Sequence, residues 1–413
     1  MTRRSWLCVL CVAGVATWAA AADWPQWRGP DRCGVAKSCP PLVESVPKTG
    51  PPLLWEAPLP DGGPKAAYYS SPVVAGGRAY LHVYPVAEGS DPKKPAREEA
   101  IVCVDMNSGK ELWKARFAAE GAGKSHNTLC AQDGKLYFAG KGAGGAGCVY
   151  CLAADSGKEV WKTDLTKGRS PDFTPSLAVA GGKVIVFAGK LYGLDAADGK
   201  LAWQTEPLTE PKTKEWMNVA SPAVWENAGK VCAIVGGSKI SCVSAADGKV
   251  LWQMPGAKAP TSPVVVGDLL VVRFPEADLN VYRLTAAGAE KLATAKLEAF
   301  DDASWEASTP AFDGRRVYGT CKKQTFCFDV NGKSMVWAEK LIGDPIASPV
   351  VGDGKFLCSS KGQLIAVNAA DGKTLWQAKW TKAECGSLAI ADGKVVVNAG
   401  THLRCYDLRK SQP

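Results

Sequence analysis

The sequence predicts an all-β fold: an eight-bladed β-propeller of four-stranded antiparallel blades, with the ring closed by an N-terminal strand. Three observations predict it. A Gly-Lys-x-x-Trp element recurs about every 40–50 residues, a strand–turn–strand unit precedes each copy, and the last unit lacks a fourth strand that the N-terminal region can supply. Self-similarity at this period indicates a repeat architecture, and four-stranded sheets repeated radially form a propeller.

The Gly-Lys-x-x-Trp element predicts the second hairpin of each blade. AADGK occurs at 196–200, 245–249 and 369–373, and its Gly suits a short turn that needs positive φ. β-branched and aromatic residues flank the turn, as in strands. The element ends at Trp113, Trp161, Trp203, Trp252 and Trp376, and a looser copy ends at Trp337.

Eight strand–turn–strand units predict the first hairpin of each blade. The fifth unit keeps this outline, but no Trp follows its second hairpin. The units span 70–81, 127–140, 174–189, 220–237, 261–273, 308–320, 347–360 and 386–400.

The two termini predict how the ring closes. The eighth unit stops at LRCYDLRK, and PPLLWEAPL near the N-terminus carries Trp55 where the missing strand would have its Trp. Pairing these segments would protect an exposed strand edge. We expect seven tryptophans to pack between blades, each burying roughly 150–250 Å²: Trp55, Trp113, Trp161, Trp203, Trp252, Trp337 and Trp376.

The N-terminus has the features of a secretory leader. Arg3 and Arg4 precede an apolar run that ends in an A-x-A pattern before Asp23. The expected organisation is a signal peptide at 1–22, an arm at 23–50 and the propeller at 51–413. The mature chain is then exported, periplasmic or extracellular, with no stable membrane span after signal removal; an uncleaved anchor is the alternative.

Composition and motifs exclude several function classes. The formal charge of +8 over 413 residues comes without a basic stripe interleaved with aromatics, so nucleic acid is not expected as a partner. The three histidines form no zinc-binding pattern. AAEGAGKS at 118–125 fits a permissive phosphate-loop pattern, but a hairpin follows it instead of the required helix. We therefore expect no catalytic residues and no metal ligands.

The cysteines follow the repeat. Thirteen of the 15 lie outside the leader, and most are expected to be small packing residues. Alignment of the third strands places Cys103, Cys151, Gly193, Cys242, Arg283, Cys327, Ala366 and Cys405 at one position. Local disulfides between Cys33 and Cys39, Cys232 and Cys242, or Cys321 and Cys327 stay open.

LYGLDAADGKLAW (191–203) and the leader-proximal DWPQWRGPDRCGV (23–35) resemble the pyrroloquinoline-quinone (PQQ) repeat family of propellers. One branch of that family implies a dehydrogenase that binds PQQ and Ca²⁺ over the central funnel. The other implies a non-enzymatic scaffold, such as the propeller of the outer-membrane assembly machinery. The length of the chain favours the scaffold, although it lacks that factor's lipidation signal.

The expected site lies where the loops that enter the inner strands gather. Trp216, Asn218, Trp305 and Glu306 supply the aromatic and oxygen groups that a quinone with Ca²⁺ would need. Lysines in the loops between second and third strands could bind an acidic partner. The remaining loop residues are Tyr68, Tyr69, Ser125, His126, Asn127, Asp172 and Asp344, and the partner-binding lysines are Lys190, Lys239, Lys323 and Lys361.

The preferred function from sequence is an exported, non-catalytic scaffold that binds a protein or peptide on its loop face and needs no cofactor. The alternative is a PQQ- and calcium-dependent alcohol or sugar dehydrogenase. A carbohydrate-binding propeller that stacks glycans on surface Trp and Tyr is a third hypothesis.

Overall fold

The described part of the chain is all-β and contains no helix, which confirms the predicted fold class. Eight sheets follow one another along the chain, and each contains four antiparallel strands of a propeller blade. The computed structural model describes residues 23–60, 70–91, 93, 95–117, 127–142, 146–166, 175–208, 220–256, 261–274, 278–297, 308–321, 324–340, 347–360, 362–379 and 386–410.

Two strands precede the blades, β1 (Val35–Ala36) and β2 (Leu53–Pro58). Blade 1 contains β3 (Val73–Ala75), β4 (Arg78–Val83), β5 (Glu99–Asp105) and β6 (Glu111–Phe117). Blade 2 contains β7 (Cys130–Gln132), β8 (Lys135–Lys141), β9 (Gly147–Ala153) and β10 (Glu159–Asp164). Blade 3 contains β11 (Ala178–Ala180), β12 (Lys183–Phe187), β13 (Leu191–Asp195) and β14 (Leu201–Gln204). Blade 4 contains β15 (Ala223–Asn227), β16 (Lys230–Val235), β17 (Lys239–Ser244) and β18 (Val250–Pro255).

The second half of the ring repeats this arrangement. Blade 5 contains β19 (Val264–Val266), β20 (Leu269–Arg273), β21 (Asp278–Thr285) and β22 (Gly288–Lys296). Blade 6 contains β23 (Ala311–Phe312), β24 (Arg316–Cys321), β25 (Gln324–Asp329) and β26 (Ser334–Lys340). Blade 7 contains β27 (Val350–Gly352), β28 (Lys355–Ser360), β29 (Gln363–Asn368) and β30 (Thr374–Lys379). Blade 8 contains β31 (Ala389–Ala391), β32 (Lys394–Asn398) and β33 (His402–Asp407).

The N-terminal strand β2 is the fourth strand of blade 8. It pairs antiparallel with β33, and Trp55 lies opposite Cys405. Trp113 lies opposite Cys103 in the same way within blade 1, so the closing strand has the register of an ordinary fourth strand. The first strand of blade 8 contacts that of blade 7 directly, and the first strand of blade 1 contacts that of blade 8. The chain therefore closes on itself as predicted.

Five of the seven inter-blade tryptophans rest on the Gly-Lys turn of the following blade, whereas Trp376 bonds the carbonyl of Val43 in the arm. The indole Nε1 of Trp203 donates a hydrogen bond of 2.9 Å to the carbonyl of Ala245 in blade 4. A Cβ built on Gly248 would lie 2.6 Å from the same ring, so only glycine leaves room for it. Gly248 also has a φ of +73°, which glycine adopts readily. Equivalent contacts join Trp55 to Gly109, Trp113 to Gly157, Trp161 to Gly199 and Trp337 to Gly372.

Blade 5 breaks this series of contacts. Its third and fourth strands pair as far as Thr285 and Gly288, so a two-residue turn replaces the longer Gly-Lys turn. Trp252 of blade 4 is buried, but its Nε1 has no hydrogen-bond partner in the described part of the chain. The short turn explains this, because the carbonyl that receives the indole in other blades belongs to the longer turn. In blade 5 itself, Ala293 stands where the Trp would be.

The alignment of blade 5 is corrected by two residues. The residue opposite the fourth-strand Trp position is Val281, which pairs with Ala293, and not Arg283, which pairs with Glu290. The extended hairpin shifted the sequence alignment. At this position in other blades a small side chain is required, since a Cβ on Gly193 would overlap the ring of Trp203.

Trp203 and Trp252 form a matched pair for measuring the indole hydrogen bond. Both rings are buried to the same degree, so Phe substitution removes similar apolar area from each. Trp203→Phe leaves the Ala245 carbonyl without its donor, whereas Trp252→Phe removes an N–H that has no acceptor. We expect Trp203→Phe to lower the free energy of unfolding by ~1–2 kcal/mol more than Trp252→Phe, measured by urea denaturation. Equal losses would contradict this account.

None of the twelve described cysteines forms a disulfide, and eleven of them are buried. The disulfides left open for Cys33 and Cys39, Cys232 and Cys242, and Cys321 and Cys327 are therefore not formed. Third-strand cysteines such as Cys151 face the Trp of their own blade across the sheet. These cysteines recur at the same position of the repeat because they pack there as small side chains.

The arm crosses the ring axis. We call residues 24–36 the hub segment, because their contacts involve the innermost strands on both sides of the ring. The contacts are Trp24 with Val74 in blade 1, Pro25 O with Ala131 N in blade 2, Cys33 O with Phe312 N in blade 6, and β1 with β27 in blade 7. The arm then continues to blade 8, where Val43 N bonds Leu408 O. Among the described residues, the arm makes no backbone hydrogen bond to blade 4 or blade 5.

Candidate functional site

Strand alternation defines two faces of the ring. Loops from each fourth strand to the next first strand lie on the same face as those between second and third strands, and we call this the loop face. Short turns occupy the other face, the turn face. The quinone candidates Trp216, Asn218, Trp305 and Glu306 lie outside the described residues, as do Lys323 and Lys361. Of the other predicted loop residues, the structure describes Asn127.

A ring of hydroxyl groups lies directly beneath the loop face. In each blade, one residue of the first strand is the first to pair with the second strand. A Ser or Thr lies two residues before it in every blade. The backbone N–H of one blade donates to the hydroxyl of the next, as from Thr128 N to Ser176 Oγ at 2.9 Å. The same bond joins Ser71 to Thr128, Ser176 to Ser221, Ser221 to Ser262, Thr309 to Ser348 and Ser387 to Ser71.

These hydroxyl bonds hold the inner strands of neighbouring blades in register. Buried N–H groups on an inner edge would otherwise be unsatisfied, which is costly. Sequence reasoning missed the ring, although the signal was present: a Ser or Thr precedes Pro or Leu in all eight first strands.

A buried polar cluster lies between blades 1 and 2 at the same level. His82 Nε2 is 3.1 Å from Glu99 Oε2, and His82 Nδ1 is 3.3 Å from Asn127 Oδ1. Glu99 Oε1 accepts a 2.8 Å hydrogen bond from the backbone N–H of Lys141. All four residues are at most 5% exposed. The cluster joins two strands of blade 1 to the second strand of blade 2 and to the segment before its first strand.

The hydrogen bonds orient the side chains of Asn127 and Glu99 around His82. Asn127 Nδ2 donates to the carbonyl of Ala139 at 2.8 Å, so its Oδ1 faces the imidazole as an acceptor. Glu99 presents a carboxylate oxygen to the other ring nitrogen. Both ring nitrogens of His82 are therefore engaged, and the cluster bonds blade 1 to blade 2.

Four further polar side chains occupy the position of His82 in other blades: Arg273, Thr320, Ser359 and Asn398. Arg273 Nη1 in blade 5 donates to Thr320 O of blade 6 at 2.7 Å, and burial lowers the pKa of Arg273 to about 10. Asn398 Nδ2 in blade 8 donates to Ser70 O of blade 1 at 3.1 Å. The buried polar groups beneath the loop face thus make blade-to-blade bonds.

The described residues do not fit the calcium–quinone pair. Ca²⁺ takes six to eight oxygen ligands, and the buried oxygens of Glu99 and Asn127 are already engaged by His82 and Lys141. No group of three His, Cys, Asp or Glu side chains that could hold a metal occurs in the part of the chain that the structure describes.

Lys190 and Lys239 occupy one position in two neighbouring blades. Each lies three residues before the residue opposite the inter-blade Trp, Gly193 in blade 3 and Cys242 in blade 4. Lys190 is half-buried and Lys239 is exposed. Lys141, in the corresponding loop region of blade 2, is buried and therefore does not belong to an exposed rim. Lys190 and Lys239 thus lie at equivalent loop-face positions of two adjacent blades, while Lys296, Lys340 and Lys379 end the fourth strands of blades 5, 6 and 7 at the same face.

Comparison with known proteins supports the architecture. A family model described as outer membrane protein assembly factor BamB matches residues 96–259 and 277–412. No curated protein matches the chain. The described residues contain no helix with the length and apolar character needed to cross a membrane.

Three solved structures share the fold at low identity. The quinohemoprotein alcohol dehydrogenase of Comamonas testosteroni is 14% identical, with a TM-score of 0.66 over 95% of this chain and 81% of its own. BamB of Moraxella catarrhalis is 14% identical, with a TM-score of 0.60 over 87% of this chain and 100% of its own. The designed protein Ika8 is 12% identical, with a TM-score of 0.58 over 86% and 100%.

Proposed function

The chain belongs to the PQQ-like propeller family of the outer membrane protein assembly factor BamB, and from that premise we propose that it is an exported, non-catalytic scaffold. Its loop face binds a protein or peptide partner. The main support for the proposal is that the buried polar groups beneath this face bond one blade to the next. The hydroxyl ring and the bonds of His82 and Glu99 to blade 2 join blades to one another, which gives a rigid support for surface loops.

The chemistry of the partner follows from Lys190 and Lys239. Neither makes an ion pair with a described carboxylate, and their equivalent positions place two ammonium groups on adjacent blades of one face. Such a pair favours an acidic segment, which gains charge complementarity on approach.

The test compares lysines of the two faces in the same blades. A photo-crosslinking amino acid is placed at 190 or 239 on the loop face, or at 200 or 249 in the exposed turns opposite. In cells that export the protein, we expect one adduct of the same mass from both loop-face positions and none from the turn-face positions.

Charge reversal supplies the energetic test. We expect Lys190→Glu with Lys239→Glu to weaken binding of the captured partner by ~10-fold or more. Lys200→Glu with Lys249→Glu changes the net charge equally and should leave binding unchanged. Equal amounts of crosslinked adduct from both faces would argue against a loop-face scaffold. An equal loss of partner binding in the two double variants would do the same.

The dehydrogenase alternative has its own direct test. The purified chain is mixed with PQQ and Ca²⁺, and its melting temperature and its reduction of a dye by added alcohols or sugars are measured. We expect neither a saturable rise in melting temperature nor dye reduction. A saturable rise accompanied by alcohol-dependent dye reduction would replace the scaffold proposal.

A further inference from the structure

The hub segment buries two arginines at the ring axis. Arg28 is 1% exposed and Arg32 is 6% exposed. Both have left-handed backbone conformations, with φ of +68° and +57°, which is uncommon for residues other than glycine. Asp31 lies between them in sequence, but its carboxylate is largely exposed and pairs with Lys37. Within the described ranges, neither arginine pairs with a carboxylate.

The two side chains are anchored on opposite sides of the ring. Arg28 Nη1 donates to the carbonyl of Pro349 in blade 7. Arg32 Nη1 donates to the carbonyl of Leu177 in blade 3 at 3.0 Å and to Gln26 Oε1 at 2.8 Å. Pro349 and Leu177 each immediately precede a first strand, and blades 3 and 7 are four blades apart in a ring of eight. The arginines therefore reach across the axis in opposite directions at one level.

Both arginines leave the same edge of the guanidinium without a partner. Nε and Nη2 of Arg28 and Nε and Nη2 of Arg32 are buried, and none has a hydrogen-bond partner among the described residues. The Nε–Nη2 edge is the fork that binds carboxylate or phosphate oxygens in a bidentate manner. Gly34 approaches this edge of Arg28 so closely that a Cβ there would overlap Nη2.

Nothing described nearby neutralises the two charges. The titratable groups that interact electrostatically with Arg28 and Arg32 are the thiols of Cys33 and Cys130. Burial raises the pKa of both thiols, that of Cys130 to about 12, so they are neutral at pH 7. Burial also lowers the pKa of each arginine to about 10, which leaves both charged at pH 7. Buried charges without a counter-charge are strongly unfavourable.

We propose that the hub segment is an anion-binding site in which Arg28 and Arg32 hold a small oxyanion, a carboxylate or a phosphate-like group, near the ring axis. The anion accepts hydrogen bonds from the free guanidinium edges and neutralises the charge. It thereby couples the blade 3 and blade 7 sides of the ring through the arm. This site lies apart from the loop-face lysines and does not depend on the proposed scaffold function.

The experiment measures binding and stability on the purified full chain. Anions released on denaturation are first identified by ion chromatography. The protein is then dialysed into chloride, and its melting temperature is followed against added phosphate, sulfate or acetate at constant ionic strength. We expect either release of about one anion per chain or a saturable rise of ~2–5 °C with an oxyanion. The three oxyanions distinguish a phosphate-like ligand from a carboxylate.

Arginine variants separate anion binding from a structural clamp. Arg28→Met and Arg32→Met should abolish the rise. In chloride each should melt at or above wild type, because an uncompensated buried charge has been removed. Arg404→Met, which removes a surface arginine paired with Glu56, should keep the full rise. If Arg28→Met does not fold, the Arg32→Met variant and the released-anion measurement on wild type decide whether the site binds an anion.

Three results would overturn the site. The first is a wild type that melts cooperatively but releases no anion and shows no saturable shift with any of the three oxyanions. The second is retention of the full shift by both Met variants. The third is an equal destabilisation of both variants with and without oxyanion, which would make the arginines clamps for the carbonyls of Pro349 and Leu177 alone.

Discussion

Trp55→Ala is expected to lower the free energy of unfolding by ~3–5 kcal/mol, because it removes a large buried ring at the point where the chain closes. Trp55 is 6% exposed, and its Nε1 donates a 2.9 Å hydrogen bond to the Met106 carbonyl of blade 1. Its strand also pairs with β33, about 350 residues away in sequence. The substitution therefore weakens both the last blade and its junction with the first. Urea unfolding followed by tryptophan fluorescence and circular dichroism measures the loss.

The neighbouring residue provides the control. Leu54 lies in the same strand but is 42% exposed on the outer edge, so Leu54→Ala should change stability by no more than ~0.5 kcal/mol. If both substitutions had equal effects, pairing of the β2 backbone would close the ring and the indole would add little. A loss below ~1 kcal/mol for Trp55→Ala would contradict the role assigned to it.

The fold was predictable because its repeats contain a recognisable sequence element that marks a turn and the strand after it. A turn glycine followed at fixed spacing by Trp marks each outer hairpin, and the structure shows that these two residues contact each other between successive blades. Blade 5 resisted alignment for the same reason. Where a two-residue turn replaces the Gly-Lys turn, Trp252 packs on blade 5 without a hydrogen bond to a turn carbonyl, and the longer hairpin puts Arg283 in the place of Val281 in the sequence alignment.

The candidate site was less predictable. The residues chosen for a quinone were selected by chemical type on loops that the structure does not describe. His82 and Glu99 lie on paired strands of blade 1, and Asn127 meets them only because blade 1 packs on blade 2. The arginines of the hub segment sit in a motif that resemblance singled out, but their burial depends on an arm that crosses the axis, which no local pattern specifies. Contacts that depend on ring geometry could not be derived from one strand at a time.

Gly248→Ala is expected to destabilise the protein by ~2–5 kcal/mol through two additive effects. Gly248 has a φ of +73°, and a left-handed backbone at Ala costs ~1–2 kcal/mol. The new methyl group would also lie 2.6 Å from the ring of Trp203, and such overpacking adds ~1–3 kcal/mol. The ring would have to move, which would disturb its hydrogen bond to Ala245.

Gly229→Ala isolates the backbone contribution. Gly229 lies in the other turn of blade 4, has a φ of +76°, and offers open space to a new Cβ, so only the ~1–2 kcal/mol of conformational strain should appear. The difference between the two variants in urea denaturation then measures the contact between Trp203 and Gly248. In a Trp203→Ala background the two glycine substitutions should have equal effects, because the ring that penalises a methyl group is gone. Persistence of the full difference in that background would mean that the turn, and not its contact with the preceding blade, requires glycine at 248.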